Sequence, residues 1–80
     1  MKFVPLRHVD VFALRLRKLR KEKELTQKQA AAEFGLSEIL WRKYEGGDRT
    51  PTFEGLIALA DYFGVSLDYL VGRSDKHERQ

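Results

Sequence analysis

Few residues in this chain could carry covalent chemistry. There is no cysteine, so disulfides and thiolate metal sites are excluded. The two histidines, His8 and His77, are isolated near opposite ends and offer no metal-ligand spacing. No Ser/His/Asp set, paired-carboxylate pocket or phosphate-cradling glycine loop is present. The sequence therefore predicts neither an enzyme nor a cofactor or small-molecule site. Residues suited to recognition remain. Glu38, Ile39, Arg42 and Lys43 lie three and four positions apart, a spacing that gathers them on one side of a helix.

That helix needs positioning, and the stretch from Leu25 to Glu45 supplies the means. Thr26 can cap one helix, with Gln29 three residues on to complete a capping box. Ser37 can cap a second, because its hydroxyl accepts an orphan backbone N–H. Between them stands Phe34-Gly35-Leu36, where glycine can take the left-handed conformation that ends a helix. Leu36 and Trp41 have the spacing of a hydrophobic staple. Two short helices around a glycine turn read as a helix-turn-helix. They are expected over about 27–34 and 38–45, the second burying Leu40, Trp41 and Tyr44.

The other elements follow from similar signals. Residues 1–9, with Pro5 among them, read as an extended arm. Asp10 reads as a cap for a first helix over about 11–23, with Phe12, Leu16 and Leu19 as its inward stripe. Arg15, Arg17, Lys18, Lys21 and Glu22 face outward or flank that stripe. Glu24 falls at a chain reversal, and a positive φ there would cost a non-glycine residue about 1 kcal/mol. Residues 46–51 form a loop by composition. Thr52 caps a strongly apolar fourth helix over 53–63. Gly64-Val65-Ser66 repeats the punctuation of Gly35-Leu36-Ser37, so a fifth helix carrying Leu67, Tyr69, Leu70 and Val71 follows and ends at Gly72. Residues 73–80 read as a polar, fraying tail. The prediction is one all-α domain over 10–72, without strands or solenoid repeats.

Bulk properties agree with a small recognition module. The 80 residues make one domain that buries only about 60% of its unfolded surface. No apolar run approaches a membrane span, and no signal-peptide pattern opens the chain. Net charge is +3, but residues 1–30 hold nine Lys/Arg against three Asp/Glu, while residues 31–80 hold six against nine. This asymmetry points to a polyanionic partner, although a solvated helix face would also explain it.

Taken together, the residues resemble the phage repressor and Cro-type helix-turn-helix domain, the XRE family, over about 12–72. The likeness rests on Leu16-Arg17-x-Leu19-Arg20, Leu25-Thr26-Gln27, Ala31, Gly35-Leu36-Ser37, Tyr44-Glu45-x-Gly47 and Pro51. It continues through Leu59-Ala60-x-x-Phe63-Gly64-Val65-Ser66-Leu67-Asp68-Tyr69-Leu70. The resemblance implies a five-helix, lambda-repressor-like bundle whose third helix enters the DNA major groove. It implies that Gln27 meets a phosphate at the N-terminus of helix 2. Ser37, Glu38, Ile39, Arg42 and Lys43 would face the DNA, Arg49 would contact backbone, and Arg17 would lie close by. Arg20 and Glu45 match an ion pair that braces helix 1 against helix 3.

Three positions depart from the family pattern. Ala30 stands where leucine is usual and Trp41 where isoleucine or valine is usual, which reads as a volume exchange. Glu24 replaces a glycine or asparagine. The reading face also begins unusually, with Glu38-Ile39. A glutamate can accept from cytosine N4–H and an isoleucine can touch a thymine methyl. Phosphates repel a carboxylate, so Glu38 should serve specificity more than affinity.

The functional expectation is a transcriptional regulator, a repressor, acting as a homodimer on a palindromic operator in the cytoplasm of a bacterium or from a phage, associated with the nucleoid. Leu67, Tyr69 and Leu70 would form the dimer interface. A rival of another class is a protein-interaction module, antitoxin-like, that kept the fold with weak base readout. A third reading, a basic amphipathic helix on membranes, rests on Arg15 to Lys23; the domain core makes better use of that helix's apolar side.

Overall fold

Side-chain caps set the beginnings of four of the five helices in the computed structural model, which describes residues 7–77. Thr26, Ser37, Thr52 and Ser66 each accept a hydrogen bond from the backbone N–H three residues on. They start α2 (Gln27–Glu33), α3 (Glu38–Glu45), α4 (Phe53–Phe63) and α5 (Leu67–Leu70). Around Thr26 the capping box is complete, since Gln29 returns a bond to the Thr26 N–H. No strand is present among the described residues.

The first helix departs from expectation. α1 spans His8–Glu22, and Arg7, not Asp10, precedes it. Asp10 instead sits inside the first turn and accepts from both the side chain and the backbone N–H of Arg7. Those bonds hold its carboxyl below the usual range. An acidic residue in a first turn serves the helix as well as a cap does, because it meets free N–H groups and the positive dipole end. Residues 7–9 are thus helix and helix entry. The rest of the expected arm, residues 1–6, lies outside the described residues.

The core forms where α1, α3, α4 and α5 present their apolar sides. Phe12, Leu16 and Leu19 of α1 are buried against Trp41, Tyr44, Leu59, Tyr69 and Leu70. α2 packs on α3 through Ala30 and Ala31, both almost fully buried. Their small size lets the indole of Trp41 sit fully enclosed, stacked on Phe34 at 5.8 Å. Leu36 and Leu40 pack against the same cluster. The turn between the two helices needs Gly35 at φ 65°, a conformation that costs glycine little. Glu24 adopts φ 58° without that freedom.

The chain's end is better anchored than its polarity suggests. Ser66 N–H donates to the His77 carbonyl at 2.9 Å, and the His77 ring lies 4.1 Å from that of Tyr69. Arg15 reaches across from α1 to the carbonyls of Tyr69 and Ser74 and to Asp75. Its guanidinium stands 4.1 Å above the Tyr69 ring, a cation–π arrangement. Residues 73–77 therefore pack back onto the domain; 78–80 lie outside the described residues. His8 also has a partner, its Nδ1 lying 2.7 Å from the Val71 carbonyl.

α5 requires a correction. Tyr69 and Leu70 are 3% and 0% exposed within one chain, so they belong to the core and present no surface to a second copy. This short helix packs on both α1 and α4. Leu67 is 36% exposed.

Candidate nucleic-acid interface

One carboxylate links the interior to the outer face of α3. Glu45, in the last turn of that helix, has a side chain only 3% exposed. It accepts from Arg20 Nε at 2.6 Å and Arg20 Nη2 at 3.0 Å, a bidentate pair. It also accepts from the indole N–H of Trp41 and from Gln27 Nε2. Arg20 spends a further donor on the Leu25 carbonyl, just before α2. Burial pushes the Glu45 carboxyl up, but the bonds from Arg20, Trp41 and Gln27, with the Arg20 charge, outweigh it and hold the group below its ordinary value. The expected Arg20–Glu45 brace is present, and it fixes α1, α2 and α3 relative to one another.

Gln27 carries this network outward. Its Nε2 is held by Glu45, and its Oε1 accepts from Arg42 Nε at 3.2 Å. Arg42 also donates through Nη2 to Glu38 Oε2 at 2.8 Å, one turn back on α3. Arg17 stands 4.0 Å from Glu45 and is more than half exposed. The charged residues thus run in sequence from the α1 interior to the α3 surface.

The four residues placed on one side of α3 are together there. Ile39 is 67% exposed, Arg42 and Lys43 are exposed, and Glu38 is partly so. Ser37 is spent on its cap to Leu40 N–H, although its position at the start of α3 keeps it at the same surface. Arg49 is exposed in the loop after α3. Neither Arg42 nor Lys43 turns into the protein, and no other part of the described chain covers them.

Two contacts on this face were not anticipated, and one of them had a signal in the sequence. The Glu38–Arg42 pair was legible, since an acid four positions before a base is a favoured helix pair. The Gln27–Arg42 contact spans fifteen positions and depends on how α2 crosses α3, which no local pattern reports. No group of residues suited to hold a metal occurs among the described residues, and no described helix is long and apolar enough to cross a membrane.

Comparison with known proteins matches this architecture. A family described as "Helix-turn-helix domain" covers residues 11–70. The cryptic phage CTXphi transcriptional repressor RstR of Vibrio cholerae serotype O1 is 42% identical over 66 residues, which is 82% of this chain and 59% of that protein. YqaE of Bacillus subtilis, an uncharacterized HTH-type transcriptional regulator, is 39% identical over 61 residues, 76% of this chain and 53% of its own. The HTH-type transcriptional regulator ImmR of the same species is 33% identical over 61 residues, 76% of this chain and 48% of its own. The chain spans about half the length of the curated relatives it matches. With the capped α2-turn-α3 unit, the Arg20–Glu45 brace and these relatives in agreement, the chain belongs to the phage repressor and Cro-type (XRE) family of helix-turn-helix domains.

Proposed function

We propose that this protein is a transcriptional regulator, a repressor, that binds double-stranded DNA by inserting α3 into the major groove. The observation that carries the reading is the outer face of α3. Ile39, Arg42 and Lys43 stand exposed on one side of a helix whose other side is locked into the core. A rigid helix with a charged, uncovered flank is what groove entry requires. On this reading the N-terminus of α2 and the exposed Arg49 and Arg17 meet phosphates. The similarity to repressors of phage origin points the same way.

A single helix of this size reads few base pairs, so we propose that two copies act on a two-fold site. The contact surface is redrawn from the expected one. Leu67 remains, and it shares a groove with Ile57. Phe53, one turn before Ile57 on α4, is 68% exposed. Asp61, Ser66 and Asp68 line the same groove, whereas Tyr69 and Leu70 are taken by the core.

The test is fluorescence anisotropy on a duplex enriched from a random library. Binding should weaken steeply with salt, by about 0.9 log units per decade for each phosphate neutralised. A flat salt response would reject groove binding. It would favour the rival reading, a protein-interaction surface centred on Ile39, which stands exposed beside a Glu38–Arg42 pair that cancels its own charge.

A further inference from the structure

Gln27 has both ends of its side chain occupied within the protein. Its amide N–H goes to Glu45 and its oxygen accepts from Arg42. A residue so engaged is poorly placed to give its side chain to a phosphate. It is well placed to aim Arg42. We propose that Gln27 and Glu38 are positioning residues that hold Arg42 ready to read one guanine in each half-site. This rests on the reading that α3 enters the major groove.

The geometry of the guanidinium carries the point. Arginine has five N–H donors in a fixed plane. Here Nε–H is spent on Gln27 and one Nη2 N–H on Glu38. Both N–H groups of Nη1 and the second of Nη2 remain. That is the pair of nitrogens needed for a bidentate contact to O6 and N7 of guanine. No other base offers two acceptors there: adenine pairs its N7 with an amino donor, and thymine and cytosine present at most one acceptor each. An unrestrained arginine would lose rotamer freedom on docking. One held on two sides has less of it to lose, and pre-organisation of this kind favours binding.

The clamp is also anchored. Gln27 is itself held by Glu45, whose other partners are the buried Arg20 and Trp41. Guanidinium orientation on the surface is therefore tied to the packing of α1 on α3. The two supports differ in what lies behind them. Both are half-buried and outside the apolar core, but Gln27 is bonded to the enclosed Glu45, whereas the bond of Glu38 is to the exposed Arg42.

The experiment is selection of duplexes from a random library with the full chain, repeated for Arg42→Lys, Gln27→Ala and Glu38→Ala. The reading is the ratio of guanine to the next best base at each position. The wild type should show one position per half-site dominated by guanine. Arg42→Lys, which keeps the charge but loses the fork, should lower that ratio by about tenfold. Gln27→Ala and Glu38→Ala should lower it several-fold at the same position and leave the others unchanged. Glu38→Ala should at the same time raise affinity for unselected duplex, because a carboxylate leaves the phosphate-facing surface. Should Gln27→Ala fold poorly, Glu38→Ala decides alone, since it removes nothing from the core. An undiminished guanine ratio in Glu38→Ala and Gln27→Ala, with affinity falling alike on every duplex, would overturn the proposal and return Gln27 to a phosphate role. A wild type that enriches no sequence would overturn the DNA-binding reading itself, a failure distinct from the first.

Discussion

Replacing Glu45 by glutamine should destabilise the domain more than any other isosteric change in it. The carboxylate accepts from Arg20 twice, from Trp41 and from Gln27. Glutamine offers one acceptor oxygen, and its amino group would face donors. Arg20, with a side chain only 10% exposed, would keep its charge with half its partners gone. Breaking a buried pair on one side costs about 3–5 kcal/mol. Glutamine retains some bonds, so about 2–4 kcal/mol is expected. An 80-residue domain has about 4–12 kcal/mol in total, so the loss is a large fraction. Urea unfolding, followed through the fluorescence of Trp41, the chain's single tryptophan, measures it. The indole is fully buried and reports loss of the core directly. With a slope of about 1 kcal/mol per molar for a domain this small, the midpoint should fall by about 2–4 M. A double variant, Arg20→Met with Glu45→Leu, should recover much of the loss, because an apolar pair leaves no buried charge. A decrease for Glu45→Gln below about 1 kcal/mol at unchanged slope would refute the reasoning.

Four further outcomes follow from the same structure. Glu45 has its carboxyl held below the ordinary value of 4.5, so its stabilisation is complete above that pH and is lost as pH falls through the lower folded value. Wild-type stability, measured by urea titration at successive pH values, should fall below about pH 4.5, and Glu45→Gln should lack this part of the decline. Glu24→Asn should raise the unfolding free energy by about 0.5–1 kcal/mol, since asparagine tolerates the left-handed backbone that glutamate adopts there; an unchanged melting temperature would count against strain at that turn. Ala30→Leu should destabilise by about 1–3 kcal/mol through overpacking against the indole, and adding Trp41→Ile should restore part of it in the same melts, as a volume exchange requires. Lys43→Ala should weaken binding to the preferred duplex by about 1–3 kcal/mol in anisotropy titrations; unchanged affinity removes Lys43 from the interface.

Helix starts and the inward stripes were legible because they are local. Thr26, Ser37, Thr52 and Ser66 each announce a helix within three residues, and each caps one. The inward placement of Trp41 was legible as well, and its side chain is fully buried, as is Ala30. The start of α1 was misplaced because aspartate suits both a cap and a first turn, and only the partner Arg7 decides between them. Tyr69 and Leu70 looked like a dimer surface because a four-residue helix shows no period long enough to tell its two sides apart. Arg15 was placed only as facing outward or flanking the apolar stripe of α1, yet it bridges α1 to α5 and the returning tail across more than fifty positions. The same limit hid the Gln27–Arg42 contact. Exposed residues of α3 could be named from spacing, but what holds them still depends on helix crossing.

The central claim, that the outer side of α3 reads duplex DNA, is tested most directly by duplex selection from a random library with the wild type and with Arg42→Ala/Lys43→Ala. Both substitutions lie on the exposed side of α3 and should leave folding intact. The account predicts that the wild type enriches a sequence with two-fold symmetry at physiological salt and that the double variant enriches none. Enrichment of the same sequence by both proteins, or by neither, would contradict it.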